Sequence, residues 1–308
     1  MSVVIKSIIP VLLYLLFIPV FSMAQIKTDK VNSVLWKIST DKSPRTSYIL
    51  GSVHIFGSAW IDSWPVIDSI LTKQDLFVSE HSLNLDNKAT SYPTKATNSN
   101  LKASDYFGKD LQLDKDHFKK NYNTDLVEYL DTAKNSQALL VGLLQLLLND
   151  FAYNKNLKIS EDITSMDDVL LVTAKEKNKP NIGLDDPSQL VEMFSSKEWT
   201  TSRASKIIEA VKEANGIKLS SSTEKEFLEF ENLIKEYDQG RYDYTDKHVS
   251  NAGVKIVDRN LLWMTKLPQL LEKGNCFIVV GIHHLKGNKG LLKLLGEKGF
   301  KLTPIELK

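Results

Sequence analysis

Short apolar runs crowd the two ends of this chain, and helical spacing fills its middle. Val34-Leu35-Trp36-Lys37-Ile38 and Ser47-Tyr48-Ile49-Leu50 read as strands, and the turn-rich Thr40 to Thr46 between them predicts a hairpin. Trp64 to Thr72 has the three-and-four spacing of a helix, and Leu76-Phe77-Val78 is a short buried strand. Residues 84–105 are rich in Asn, Ser, Thr and Lys, which predicts an exposed loop. From about Leu111 to Gly274 the pattern is mostly helical. Ala138 to Leu148 is very apolar, but Gln145 interrupts it and Asn149-Asp150 ends it, so it reads as a buried helix and not a membrane span. Asn181-Ile182-Gly183-Leu184 is a small strand, and Pro187 opens a helix at its tolerated first turn. Glu224 to Tyr237 and Val254 to Leu271 read as further helices. Phe277 to Val280 is again buried strand, Gly290 to Leu295 is helical, and Phe300 to Pro304 is a last strand. This order predicts an α/β (α+β) domain over 25–308. Its N- and C-terminal parts share a mixed central sheet, and a helical insertion at about 108–272 caps it.

The first residues follow another rule. Lys6 precedes the apolar run Ile8 to Phe21, and Ser22-Met23-Ala24 is a small-x-small cleavage signal. That layout predicts a signal peptide over 1–24, a mature chain starting at Gln25, and export to the periplasm or the medium. No membrane span is expected once the signal is removed. The span 1–24 carries Lys6 and no acidic residue, so 39 basic and 38 acidic residues become 38 and 38. A net charge of zero offers no attraction to nucleic acid. Cys276 is the single cysteine, which excludes an internal disulfide, and its apolar surroundings make it a small buried hydrophobe.

Three strand candidates end in residues able to bind a metal or move a proton. Tyr48-Ile49-Leu50 runs into Gly51-Ser52-Val53-His54, Leu76-Phe77-Val78 into Ser79-Glu80, and Phe277 to Val280 into Gly281-Ile282-His283-His284. Ligands of open α/β sheets gather beyond the carboxyl ends of strands, so the three ends are expected to converge. Imidazole and carboxylate together suit first-row divalent ions such as Mn, Co or Zn. The same residues also suit general acid–base work without a metal. A histidine near a strand end is more often a hydrogen-bonded structural residue, and the repetition of Gly-x-x-His after two strands is what favours a shared site. Because side chains alternate along extended chain, His284 is expected inward and His283 outward, and His81 is set aside beside Glu80. His117 and His248 lie in polar helical stretches and read as solvated. Ser52 and Ser79 have no nucleophile-elbow context.

A helix adds a polar pair. Ile256, Asn260, Trp263 and Leu267 share one face, so Asn260 is a polar residue in an apolar stripe and needs partners. Its neighbour Arg259 is one of four arginines against 35 lysines. Spacing alone favours pairing of Arg259 with a surface carboxylate such as Asp258 or Glu272. The functional alternative is a planar cation that holds a substrate carboxylate or an oxyanion.

These segments together resemble the TraB/GumN family (TraB/PrgY/GumN/Tiki), over about residues 32–308. Leu35 to Ile38 followed by Tyr48 to His54 resembles its opening hairpin ending in Gly-x-x-His, and Phe77-Val78-Ser79-Glu80 its strand ending in glutamate. Gly183-Leu184-Asp185-Asp186 with Gln189-Leu190 resembles its Gly-Leu-Glu segment, with Asp185 standing where glutamate is usual, which weakens a role there. Asp258-Arg259-Asn260 resembles its Arg-Asn helix. Val280 to Leu285 with Gly287 and Gly290-Leu291-Leu292 resembles its second Gly-x-x-His and following helix, with His283 as an extra histidine. The resemblance implies a fold similar to erythromycin esterase and ChaN-like proteins. It also implies a metal-dependent hydrolase, because Tiki members act as metal-dependent proteases on secreted signalling proteins. His54, Glu80 and His284 would hold the metal, Glu80 would also serve catalysis, and Arg259 and Asn260 would contact a peptide substrate or its oxyanion. The alternatives are a metal-independent esterase-like hydrolase with histidine as base, and a non-catalytic binder of peptide or haem.

Overall fold

A computed structural model describes residues 32–81, 102–132, 136–159, 165–186, 188, 192, 196–244 and 255–308. The expected signal peptide, the start at Gln25, Pro187, Gln189-Leu190, His248 and most of the expected 84–105 loop lie outside the described residues. Asn32–Lys308 forms one compact unit.

Its centre is a six-stranded mixed sheet in the order β4-β3-β5-β2-β1-β6. The strands are β1 (Leu35–Thr40), β2 (Ser43–Ser52), β3 (Leu76–Ser79), β4 (Asn181–Gly183), β5 (Cys276–Gly281) and β6 (Lys301–Ile305). β1 and β2 form the expected hairpin, but β2 starts at Ser43, so the turn is shorter than the polar stretch suggested. The register shifts between Ser39 and Thr40, which accommodates Pro44, a residue that cannot donate to a ladder. β1 also pairs antiparallel with β6.

The other pairings place the site. β2 is parallel to β5, β5 to β3, and β3 to β4, so these four strands open their carboxyl ends along one edge. β5 lies between β3 and β2 and is buried from Cys276 to Val280. Its continuous apolar run is what a strand covered on both faces requires, each large side chain contributing about 1.5–3 kcal/mol. β4 is supplied by the helical middle, which therefore adds an edge strand as well as capping the sheet.

Two apolar cores result. One surrounds the sheet and includes Trp36, Phe77, Trp263 and Phe277. The other, built on Phe107, Phe118, Leu143, Ile207 and Val211, joins helices of the middle section. Ser136–Asn154 is one helix with Leu140, Leu143 and Leu147 buried, and no described helix is long and apolar enough to cross a membrane. His117 differs from expectation: it is buried, and its Nδ1 lies 3.1 Å from Asn121 Nδ2 and 3.0 Å from Asn215 Nδ2. Helix 111–122 packs that face on the Lys197–Ala214 helix, so local polarity misjudged it. The expected continuous helix over 254–271 is broken into Ile256–Trp263 and Leu267–Lys273. Pro268 explains the break, since it has no N–H and its ring clashes with a preceding carbonyl.

Candidate functional site

Three strand ends bring the chemistry together. Glu80 and His81 follow β3, Asp185 follows β4, and His284 lies in a one-turn 3-10 helix after β5. Helix Ile256–Trp263 lays Arg259, Asn260 and Trp263 across them. The backbone joins β3 and β4 past their ladder: Leu184 N donates to Ser79 O and Asp185 N to Glu80 O, both at 2.9 Å.

Arg259 is the hub. Its Nε donates to Asp185 Oδ1 at 3.0 Å and its Nη2 to Asp185 Oδ2 at 2.7 Å, a bidentate fork. Nη2 also donates to Glu80 Oε2 at 2.5 Å, and Nη1 reaches His284 Nε2 at 3.2 Å. The guanidinium lies over the Trp263 ring at 4.8 Å, and Trp263 Nε1 donates to Asp185 Oδ1 at 2.8 Å. Spacing alone favoured Asp258 or Glu272 as partners, and tertiary packing supplies Glu80 and Asp185 instead. Asp185, discounted because it replaces glutamate, is buried at the centre of this network.

Asn260 fixes the state of His284. Its Nδ2 donates to the carbonyls of His284 (3.0 Å) and Lys289 (2.8 Å), so its Oδ1 is left as the acceptor. That oxygen lies 2.6 Å from His284 Nδ1, which therefore carries the proton. Nε2 is then the lone-pair nitrogen that faces Arg259 Nη1. The ring stacks on Trp263 at 4.3 Å between centroids. Burial, helped by the Arg259 charge, pulls His284 from the ordinary 6.5 down to about 4 against the pull of Glu80, so it is neutral. His284 is inward and buried, and His283 is exposed, with its Nδ1 3.2 Å from the Tyr242 hydroxyl. The turn decides this, since extended-chain alternation ends with β5.

Burial raises the Glu80 pKa, but Arg259, His284, His81 and the Gly281 N–H at 2.7 Å outweigh it and hold the carboxyl well below its ordinary value. Asp185 is likewise raised by burial and, on balance, lowered by His81 and Arg259. One guanidinium thus faces two ionised carboxylates, a net charge of −1 in a buried place. His81 stands beside them, its Nδ1 3.0 Å from Asp185 Oδ2 yet without an aligned hydrogen bond. Glu80, His81 and Asp185 offer ligand atoms that all lie within 4.8 Å of one another. Alternation sets His81 aside, but β3 ends at Ser79 and the chain bends at Glu80 and His81, so the rule does not reach it.

His54 takes a different place. It sits in the turn after β2 with a side chain 58% exposed, and its Nδ1 lies 2.8 Å from Asp167 Oδ2. Asp167 chiefly, and Glu80 more weakly, raise its pKa from 6.5 to about 9. Glu80, Arg259, His284 and Asn260 are therefore linked in one chain of contacts, while the exposed His54 stands outside it. Asp167 had no signal as a partner; Ser165 with Asp167-Asp168 marks only a helix start. Neither glycine of the two Gly-x-x-His segments has positive φ. They permit close approach: a Cβ on Gly51 would lie 2.2 Å from Ile282 Cδ1, and one on Gly281 3.3 Å from Glu80 Oε1.

The model of the TraB/PrgY/gumN family matches residues 34–304. No curated protein and no solved structure matches the chain.

Proposed function

We propose, from the premise that this chain belongs to the TraB/PrgY/gumN family, that it is an exported, metal-assisted hydrolase acting on peptide bonds. The observation that carries this reading is the Glu80, His81 and Asp185 group beside the buried guanidinium of Arg259. Two carboxylates and an imidazole are a donor set for Mn, Co or Zn. The residual negative charge and the unaligned His81 Nδ1 are what a cation would satisfy. Glu80 belongs both to this group and to the ligand set expected from sequence. His284 Nε2, 3.7 Å from Glu80 Oε1, is adjacent to it. When bound, such a metal polarises a carbonyl and lowers the pKa of water toward 7. Arg259 supplies fixed positive charge beside a developing oxyanion, and Asn260 holds His284 neutral with Nε2 unprotonated. The peptide class rests on the resemblance to the Tiki proteases, and export on the leader-like first 24 residues.

A second reading has its own observation. Arg259 already bridges both carboxylates, so a metal-free hydrolase would have His284 Nε2 as its base. Calorimetric titration of the purified full chain with Mn²⁺, Co²⁺ and Zn²⁺ separates the two, alongside hydrolysis of fluorescently labelled casein with and without EDTA. The metal reading expects saturable binding that Glu80→Gln and Asp185→Asn weaken, and turnover that EDTA abolishes. Turnover that survives EDTA in a protein that binds no metal overturns it in favour of the second.

A further inference from the structure

Trp263 touches Asp185, Arg259 and His284 at once, and the metal reading gives it no part. It is fully buried at the last turn of the Ile256–Trp263 helix. Its ring stacks on the His284 ring at 4.3 Å between centroids and 29° between planes. The Arg259 guanidinium lies over the same indole, 4.8 Å from its centre. Held in this way, the indole has one direction for its N–H, and Nε1 donates to Asp185 Oδ1 at 2.8 Å. The bond crosses from the helix to the segment after β4, and it is buried at both ends.

Each carboxylate oxygen has about two acceptor positions. Both positions of Asp185 Oδ1 are taken, one by Trp263 Nε1 and one by Arg259 Nε at 3.0 Å. Oδ2 accepts Arg259 Nη2 at 2.7 Å and keeps its second position, with His81 Nδ1 standing 3.0 Å away. Arg259 alone would leave a position open on each oxygen, and the carboxylate could then present both to a cation. We propose that Trp263 is a positioning residue for the metal centre: by closing Oδ1 it makes Asp185 a one-oxygen donor through Oδ2. That oxygen then belongs with the ligand atoms of Glu80 and His81, which lie within 4.8 Å of one another and of Asp185. The proposal rests on the metal reading above and deepens it, because outer partners of this kind fix the orientation of a ligating carboxylate. Trp263 acts through Asp185 and touches neither substrate nor ion.

The test is titration of the full chain with Co²⁺, followed by calorimetry and by the visible absorption of the bound ion. Trp263→Phe keeps a ring against His284 and Arg259 and removes the N–H. A second variant carries β-(3-benzothienyl)alanine at position 263, where sulfur replaces the N–H and the bicyclic shape is kept. Both should bind Co²⁺ roughly 10- to 100-fold more weakly than wild type. Their absorption should also weaken, because an Asp185 free to bind through both oxygens raises the coordination number of the ion. The benzothienyl variant preserves the packing, so its losses report the N–H alone and stand even if Trp263→Phe fails to fold. Wild-type affinity and absorption in that variant overturn the positioning role and leave the metal reading standing. Weaker binding with unchanged absorption makes Trp263 a packing residue only and also overturns the proposal. A wild type that binds none of Co²⁺, Mn²⁺ and Zn²⁺ overturns the metal reading, and this role with it.

Discussion

The two Gly-x-x-His segments start alike in sequence and end unlike in structure. Each follows a buried parallel strand, and β2 and β5 are direct neighbours. His284 is nevertheless 4% exposed, stacked on Trp263 and lowered to about 4, while the His54 side chain is 58% exposed and raised to about 9. The difference lies in what covers each strand end. Over β5, helix Ile256–Trp263 delivers an indole, an amide and a guanidinium, and desolvation dominates. Over β2, the neighbouring helix offers its amino end and one carboxylate, so charge attraction dominates. The same short motif therefore builds a neutral interior imidazole in one place and a cationic rim imidazole in the other.

Breaking the interior should have the largest effect. Arg259→Ala leaves Glu80 and Asp185 buried without their cation, and a loss of about 3–5 kcal/mol in urea unfolding is expected. Arg259→Lys keeps the charge and loses the fork, so part of the stability should return while turnover stays low. A melting temperature equal to wild type for Arg259→Ala would show that the network does not hold the fold. Next is Asn260→Ala, which orphans two carbonyls and His284 Nδ1; roughly 1–3 kcal/mol should be lost. The NMR signals of His284 should then lose their fixed tautomer.

The glycines sharpen the comparison. Gly51→Ala sets a methyl against Ile282 and Leu285, which should cost about 1–3 kcal/mol. Gly281→Ala meets the end of the Glu80 side chain at 3.3 Å, so it should cost less than about 1 kcal/mol and act mainly on metal affinity. Equal destabilisation by the two would mean that the two segments are not packed through Gly51. The pH dependence is the smallest effect and has opposite signs. His284 binds protons more readily unfolded than folded, so its contribution to stability is lost as pH falls from 6.5 through about 4. His54 contributes stability that is complete below pH 6.5 and is lost as pH rises through about 9, and solvent screening keeps it small. Unfolding midpoints in His54→Gln should lose the alkaline slope and keep the acid one.

Much of the frame was legible in the residues. The strand–helix order gave the mixed α/β class, and the unbroken apolar run of β5 marked a strand covered on both faces. The three strand ends and the polar residue in the Asn260 stripe pointed toward one edge of the sheet. Less legible were the contacts of charged residues: Arg259 was expected to take a local carboxylate, His117 to be solvated and His81 to turn away. Each of these rests on which helix packs overhead, or on where a strand gives way to a turn, and neither leaves a local mark in the sequence.

By itself the sequence determined the periodicities, the breaks at prolines and the presence of histidine, glutamate and arginine near strand ends, because those are properties of neighbours along the chain. Only the tertiary structure decided that Asp185 and Glu80 share one guanidinium, that Asp167 meets His54, and that one histidine is neutral and the other charged. Those outcomes depend on desolvation and on distances of a few ångströms between residues as far apart in the chain as Glu80 and His284, and such distances are set by strand order and helix packing.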